Sequence, residues 1–204
     1  MTKANLYIIS APSGAGKTSL IKKLLPSLDK LMVSVSHTTR AQRPGEVEGV
    51  DYFFTPVDKF QEMISKADFL EYAQVFDNYY GTAQSSVEAT LNQGIDVILE
   101  IDWQGAQQIR SLLPETISIF ILPPSTDILH QRLQERKQDN KATIDRRMHD
   151  AANEMSHYAE YDYLLVNDDF NTALTELKSI ILANRLNIGR QQHQLKSLLV
   201  DMLA

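Results

Sequence analysis

The chain has 204 residues, which is enough for one sizeable core with a small inserted lobe. With 43% apolar and 23% charged residues it has the composition of a globular protein, and its formal net charge of −6 argues against a general nucleic-acid binder, which would carry a basic excess. It contains no cysteine, which excludes disulfides, thiolate metal sites and thiol nucleophiles, and no apolar run approaches the roughly 20 residues of a membrane span.

The first motif lies near the amino terminus, between an apolar run at residues 6–9 and a helical pattern at residues 18–25. The stretch that joins them, residues 10–18, reads SAPSGAGKT. A strand, a turn of small residues, Lys-Thr and a helix form the phosphate-binding arrangement (P-loop) of nucleoside triphosphate sites. Its backbone N–H groups and the helix N-terminus attract anions, Lys17 supplies a mobile ammonium, and the Thr18 hydroxyl suits Mg²⁺.

One position of the P-loop departs from the strict pattern, which has glycine where this chain has Ala11. We expect a negative φ at Ala11, because only a positive φ strongly favours glycine. The alternative is a glycine-rich turn that binds nothing, which the flanking strand and helix disfavour. The residues expected at the triphosphate are Ser13, Gly14, Ala15, Gly16, Lys17, Thr18 and Ser19.

Five strand-like apolar runs alternate with helical patterns along the chain, which predicts an α/β fold with a parallel sheet and helices on both faces. The runs are residues 6–9, 32–35, 97–101, 117–122 and 163–166. The helical patterns cover residues 18–25, 105–113, 126–136 and 143–159. Asn171 is expected to cap a long final helix.

Residues 37–90 do not follow this alternation. Short aromatic stretches separated by glycines predict a small β-rich insertion, which would overhang the nucleotide site from the carboxyl edge of the sheet. The polar connector at residues 137–141 joins two charge-rich helices and predicts a mobile lid, with an ordinary solvated helix hairpin as the alternative. The predicted divisions are a P-loop core at residues 1–36, 91–125 and 160–204, an inserted lobe at 37–90 and a lid at 126–159.

The insertion carries two groups suited to an anionic or purine ligand. Arg40 and Arg43 follow several hydroxyls, and planar guanidinium groups suit a bidentate grip on phosphate. Glu71 stands in an apolar-aromatic stretch, and a carboxylate with nearby hydroxyls would match the adjacent N1–H and N2–H₂ donors of guanine but not adenine. The alternatives are a surface turn with scattered charge and a solvated glutamate.

Acidic residues end the third apolar run, and basic residues cluster in the predicted lid. Asp102 lies at the strand end, where ligands bind in open α/β sheets, and Glu100 lies inside the strand. They are similar to the metal-side carboxylates of P-loop enzymes, with salt bridges to arginine as the alternative.

The predicted lid carries four arginines, which either close over a transferring phosphoryl group or form exposed helix charge. They are Arg132, Arg136, Arg146 and Arg147.

In this order and spacing, the motifs resemble those of the bacterial guanylate kinases, over nearly the whole chain. The most specific shared motifs are SAPSGAGK at residues 10–17, SHTTR at 36–40, RPGE at 43–46, NYYG at 78–81, IDWQG at 101–105 and VNDD at 166–169. The resemblance implies a P-loop core, a GMP-binding lobe and a lid. It also implies Mg²⁺-dependent, direct in-line transfer of the γ-phosphoryl group of ATP to GMP, and to dGMP, giving ADP and the nucleoside diphosphate.

The resemblance further implies a role for each matching residue. At the phosphate and ribose of GMP it implies Ser36, Arg40, Arg43, Tyr52 and Tyr80. At the guanine it implies Glu71 and Thr82, with Asp102 near the base or near Arg40. On the ATP side it implies Lys17 at the phosphates, Thr18 at Mg²⁺, Arg132 as a helper, and Asn167 near the adenine. The implied catalytic residues are Lys17, Arg40, Arg136 and Arg147.

Two positions depart from the pattern of the family. Glu100 stands where aspartate is frequent, and Lys137 stands where glycine is common. Two other functions stay open: a catalytically silent guanylate-kinase-like module that binds phosphopeptides, and a kinase that accepts AMP or a pyrimidine monophosphate. Lys17 and Thr18 argue against the first, and Glu71 argues against the second.

The carboxyl-terminal residues carry an apolar stripe at helical spacing. Its members are Leu195, Leu198, Leu199, Met202 and Leu203. The stripe predicts either packing on the core or a subunit contact, so a homo-oligomer through this helix is one expectation. The first residues lead into a strand without a signal-peptide pattern, so we expect a cytoplasmic protein with no nucleic-acid or membrane partner.

Overall fold

The computed structural model describes residues 4–75, 77–135 and 141–204. Within these residues the strands are β1 Leu6–Ser10, β2 Leu31–Val33, β3 His37–Thr38, β4 Phe53–Phe54, β5 Phe69–Val75, β6 Asn78–Ala83, β7 Asp96–Glu100, β8 Ile117–Leu122 and β9 Tyr163–Val166. The helices are α1 Lys17–Leu24, α2 Val57–Ser65, α3 Gln84–Asn92, α4 Trp103–Leu112, α5 Thr126–Glu135, α6 Lys141–Ser156, α7 Phe170–Arg185, α8 Ile188–Gln194 and α9 Lys196–Leu203.

The central sheet has five strands in the order β2-β7-β1-β8-β9, and every pairing in it is parallel. The predicted α/β class and the five strand positions are therefore confirmed. All five residues of β1 are buried, because helices cover both faces of the sheet. Tyr7 and Ile9 pack with α1 and α7 on one face, while Leu6 and Ile8 pack with α3 and α4 on the other.

The predicted β-rich insertion forms a separate four-stranded sheet in the order β4-β3-β6-β5. Its core is aromatic: the ring of Phe60 on α2 stacks on Phe69 at 4.5 Å and on Tyr79 at 5.6 Å. Gly81 leaves room for this stack, since a β-carbon there would lie 2.9 Å from the Phe69 ring. This second sheet is consistent with the lobe boundaries given above, which stay a prediction.

Helices α5 and α6 pack on each other through a small apolar cluster of their own. Its buried members are Leu129, Leu133, Ile144 and Ala151. The same helices also contact the core, because Leu129 and Leu133 lie next to Gly14 and Arg132 donates a hydrogen bond to the Asn167 carbonyl. The lid assignment stays a prediction. Arg136, Lys137 and the rest of the connector up to residue 140 lie outside the described residues.

Two helix starts differ from the sequence-based prediction because aspartates cap them. The helix predicted from residue 105 begins two residues earlier, since Asp102 Oδ1 accepts a hydrogen bond from the Gly105 N–H at 3.0 Å. Asn171 was the wrong cap for α7: Asp169 Oδ1 accepts from the Thr172 N–H at 2.8 Å, and α7 begins at Phe170. None of the helices in the described ranges is both long and apolar enough to cross a membrane.

Candidate active site

A central cleft of about 780 Å³ opens at the carboxyl ends of β1 and β7, between the central sheet, the second sheet and α6. This is the position at which open α/β sheets bind ligands. The residues expected from the sequence that line it are Ser13, Gly14, Gly16, Lys17, Thr18, Ser36, Arg40, Arg43, Tyr52, Glu71, Tyr80, Asp102 and Arg147. The volume lies within the range of small-molecule sites.

The P-loop has the backbone conformation that its glycines allow. Gly14 and Gly16 have φ values of 102° and 95°, in the left-handed region, whereas Ala11 is not among the residues with positive φ. The expectation for Ala11 is therefore confirmed. Helix α1 begins at Lys17, directly after the turn, so its N-terminal N–H groups and partial positive charge lie at the cleft.

Lys17 and Thr18 both reach across to the end of β7. Lys17 Nζ donates a hydrogen bond to the carbonyl oxygen of Ile101 at 3.3 Å. The hydroxyl of Thr18 donates to a carboxylate oxygen of Glu100. A hydroxyl and a carboxylate therefore meet beside the P-loop lysine, and both offer the hard oxygen ligands that Mg²⁺ prefers.

Asn167 contacts the P-loop and Arg132 contacts Asn167, and neither residue lines the cleft. Asn167 is 4% exposed, and its Nδ2 donates to the Ala15 carbonyl at 2.7 Å. Arg132 Nη2 donates in turn to the Asn167 carbonyl at 3.0 Å. A β-carbon at Gly16 would collide with the Asn167 amide. Ser19 is exposed on α1 outside the cleft lining.

Helix α6 presents two charged side chains to the P-loop. Arg147 Nη1 donates to Ser13 Oγ at 3.3 Å, and the Glu154 carboxylate lies near the Ser13 N–H, which lowers its pKa. Burial raises the pKa of Glu154 to about 7, although nearby Lys17 opposes the shift. Sequence reasoning missed Glu154. Its spacing of seven residues from Arg147 was the available signal, because it places both on one helix face.

Arg40 and Arg43 lie in the loop that follows β3, and both donate hydrogen bonds to Glu46. Arg40 Nη2 donates to Glu46 Oε1 at 2.7 Å, and the Arg43 N–H donates to Glu46 Oε2 at 2.8 Å. Although burial opposes it, these hydrogen bonds hold the pKa of Glu46 below its usual value. The guanidinium of Arg40 also lies over the Tyr52 ring, 5.4 Å from its centroid. Glu46 belongs to a recognised motif, but its role was not predicted.

Glu71 forms a buried polar group with two hydroxyls. It is 3% exposed, and its Oε1 accepts a hydrogen bond from Thr82 Oγ1 at 2.6 Å. Ser36 Oγ lies 3.4 Å from the same Thr82 hydroxyl. Burial raises the pKa of Glu71 to about 7, Thr82 lowers it and the charge of Asp102 raises it. The predicted carboxylate and hydroxyls therefore lie together, with Glu71 and Ser36 in the lining of the cleft and Thr82 fully buried next to them.

This chain is similar to known guanylate kinases in both sequence and structure. The guanylate kinase family model matches residues 3–184. The guanylate kinase of Methylococcus capsulatus is 59% identical over 203 residues, and that of Escherichia coli K12 is 58% identical over 206, each with 100% of both chains covered. The crystal structure of guanylate kinase from Anaplasma phagocytophilum matches with a TM-score of 0.80 and 33% identity, over 96% of this chain and 95% of that one. The chain belongs to the guanylate kinase family.

Proposed function

We propose that this chain transfers the γ-phosphoryl group of ATP to GMP, giving ADP and GDP, and that it also accepts dGMP. The observation that carries the proposal is one cleft lined by a P-loop on one side and by Glu71 with an arginine pair on the other. Similarity over the full length to curated guanylate kinases supports the same reaction. A P-loop alone would fit many nucleotide enzymes, whereas the second group of residues calls for a second nucleotide.

On the ATP side, the P-loop amides and Lys17 would hold the outer phosphates. The GMP phosphate is already anionic, so no strong base and no covalent intermediate are needed. Catalysis then consists of positioning two anions in line and neutralising their charge. Among the described residues, the cations that line the cleft are Lys17, Lys22, Arg40, Arg43 and Arg147. Arg136, proposed as a further lid arginine, lies outside the described residues.

On the GMP side, we assign the phosphate to Arg40, Arg43, Tyr52 and Tyr80, with Ser36 beside them. The guanine edge would meet Glu71 and Thr82, with Asp102 close by. Guanine offers two adjacent N–H donors to the carboxylate, whereas adenine would leave this buried acceptor without a partner. Unpaired buried polar groups reject a ligand strongly, so this pair of residues would select guanine.

Thr18 and Glu100 are the residues that would hold Mg²⁺. They fit the ion, because the hydroxyl and the carboxylate already touch beside the P-loop. When bound, Mg²⁺ supplies positive charge to the transferring phosphate. Glu100 lines the cleft, so its greater length compared with aspartate does not remove it from the site.

The domain boundaries stay a proposal, in which residues 37–90 and 126–159 move toward the core. A cytoplasmic location and the absence of a nucleic-acid partner also stay predictions. The same holds for a homo-oligomer through α9. Leu198, Met202 and Leu203 are 51%, 73% and 84% exposed on that helix, so packing on the core does not cover the apolar stripe.

The decisive experiment is an acceptor panel with ATP and Mg²⁺, in which ADP release is followed with GMP, dGMP, AMP, CMP and UMP. We expect turnover with GMP and dGMP only. Lys17→Ala should lower kcat by at least about 10²-fold while leaving the fold intact, because it removes a charge at the transferring phosphate. Lys23→Ala is the matched control, an exposed lysine of α1 outside the cleft lining.

A silent phosphopeptide-binding module would show no turnover with any acceptor, and that result would reject the proposal. Equal turnover with AMP would reject the assignment of guanine to Glu71 and Thr82. Glu71→Ala tests that assignment separately, with an expected loss of the preference for GMP over AMP.

A further inference from the structure

Gly105 lies in the first turn of α4, directly against Glu71. A β-carbon at this position would stand 2.5 Å from Glu71 Oε2 and 3.2 Å from its Cδ. Real β-carbons essentially never make a contact as short as 2.5 Å, so a side chain at residue 105 requires either the Glu71 carboxylate or α4 to shift. The other neighbour of the same β-carbon, Ile101 Cδ1, is at an ordinary 3.4 Å.

The backbone does not explain a glycine here. Gly105 is not among the glycines with positive φ, and it lies within a helix, where glycine is among the poorest residues and alanine the best. The Gly105 N–H donates a hydrogen bond to the capping carboxylate of Asp102. The close approach of Glu71 is therefore the feature that requires the missing side chain.

Neither partner can move aside without losing other contacts. Glu71 lies on β5, is almost fully buried and accepts a hydrogen bond of 2.6 Å from the Thr82 hydroxyl on β6. Helix α4 is held on the same strand by Gln108, whose Nε2 donates to the Tyr72 carbonyl at 2.7 Å and whose Oε1 accepts from the Tyr72 N–H at 3.2 Å. This amide pair fixes the distance between α4 and the residue next to Glu71.

We propose that Gly105 is a positioning residue for base recognition: its bare α-carbon lets the Glu71 carboxylate lie flat against α4, at the depth where it can meet the N1–H and N2–H₂ of guanine. The inference rests on the proposed role of Glu71. An added methyl group pushes the carboxylate toward the cleft and breaks its alignment with Thr82. We expect the ATP side to be unaffected, because the three atoms nearest to the added β-carbon belong to Glu71 and Ile101 and not to the P-loop.

The test compares Gly105→Ala, Glu71→Ala and the double variant in steady-state assays with GMP and AMP as acceptors. Gly105→Ala should raise the KM for GMP by about tenfold or more, and narrow the preference for GMP over AMP, with an unchanged KM for ATP. In the Glu71→Ala background the methyl group enters vacated space, so the double variant should match Glu71→Ala within about twofold. Gly189→Ala is the matched control, because Gly189 also lies in the first turn of an Asx-capped helix.

An unchanged KM for GMP in Gly105→Ala overturns the inference, and so does an equal penalty in both backgrounds, which would mean a structural role. If Gly105→Ala does not fold, the double variant decides: its recovery supports the contact with Glu71, and its failure overturns it. A failure of the proposed function gives a different result, in which Glu71→Ala itself keeps the preference for GMP over AMP.

Discussion

At the scale of single residues, Glu71 faces two opposed demands. Burial favours the neutral acid, whereas the proposed recognition of two guanine N–H donors needs the carboxylate. Burial raises the pKa of Glu71 to about 7, so both forms are within reach at neutral pH. The hydrogen bond from Thr82 stabilises the charged form, and this explains why a hydroxyl stands beside a buried acid. In the proposed role, the ionised Glu71 carboxylate favours guanine binding, while its burial lowers the stability of the folded chain.

The first prediction concerns Glu71→Gln and the pH dependence of stability. Because the pKa of Glu71 is about 7 in the folded chain and 4.5 in the reference state, the native state binds an extra proton between these values. The free energy of unfolding should fall as pH rises through this interval, on the order of 3 kcal/mol for this residue. Glu71→Gln should be more stable than the wild type at pH 8 and equal to it near pH 4.5, as measured by urea unfolding.

The control for this prediction is Glu176→Gln, which changes an exposed glutamate on α7. It should leave the pH dependence of unfolding unchanged. A stabilisation by Glu71→Gln of the same size at both pH values would contradict the argument, because it would not follow the titration of Glu71.

The second prediction concerns Glu46, whose two oxygens hold Arg40 and the Arg43 backbone. Glu46→Ala should raise the KM for GMP by about tenfold, because a hydrogen bond to a charged group is worth roughly 1.5–3 kcal/mol. The KM for ATP should stay unchanged, since the P-loop is on the other side of the cleft. Steady-state kinetics with each nucleotide varied in turn measure this split, with Glu48→Ala, an exposed neighbour outside the cleft lining, as the control.

Equal increases in both KM values after Glu46→Ala would argue instead for a general loss of structure. In that case thermal unfolding of the variant should show a lower midpoint than that of Glu48→Ala.

At the scale of elements, α6 carries a cation and an anion on one face over the P-loop. Arg147 donates a hydrogen bond to the Ser13 hydroxyl, while the Glu154 carboxylate lies near the Ser13 N–H. P-loop N–H groups bind phosphate oxygens, so the carboxylate stands where an anionic ligand competes for the same donor. The helix therefore presents one group that favours a triphosphate and one that opposes it.

The third prediction follows from this competition. Glu154→Gln should tighten ATP binding by at least about threefold at pH 8, because a negative charge beside the triphosphate is removed. The gain should shrink at pH 6, since the pKa of Glu154 is about 7 and the wild-type residue is then largely neutral. Isothermal titration of ATP at both pH values measures the effect, with Glu88→Gln on α3 as an exposed control. Weaker binding in Glu154→Gln at pH 8 would contradict the competition.

At the scale of the whole molecule, the sequence predicted what depends on neighbours along the chain. The five strands and the P-loop turn follow from local patterns of apolar residues and glycines, whereas the roles of the other motif residues were expected from the resemblance to guanylate kinases. What it did not predict depends on distant contacts. Glu154 meets Ser13 across about 140 positions and Gly105 meets Glu71 across 34, and no local pattern records either pair. The cap of α7 was missed for a different reason: three polar residues precede Phe170 and Asn171, and any of them could cap.

At the same scale, two ion pairs connect residues 51 and 77 of the inserted segment to helices α1 and α6. Lys22 on α1 meets Asp51 of the insertion at 3.1 Å, and Arg146 on α6 meets Asp77 at the other side of the insertion, also at 3.1 Å. Both pairs are substantially exposed, so each contributes at most about 1 kcal/mol and is weakened by salt. Lys22 and Asp51 lie in the lining of the cleft, whereas Arg146 and Asp77 lie outside it, so the second pair can influence closure without a direct part in ligand binding.

The last prediction tests this bias with Asp77→Asn, which removes the charge that faces Arg146. If the pair favours the closed arrangement, the variant should show KM values for both ATP and GMP raised by up to about fivefold at low ionic strength. The wild type and the variant should converge as ionic strength rises from about 0.01 M to 1 M, because the Debye length then falls from about 30 Å to 3 Å. Asp58→Asn, an exposed charge on α2 outside the cleft lining, should behave as the wild type at every salt concentration. A difference that persists undiminished at 1 M would show that Asp77 acts through packing or local structure, and no difference at 0.01 M would remove the pair from closure altogether.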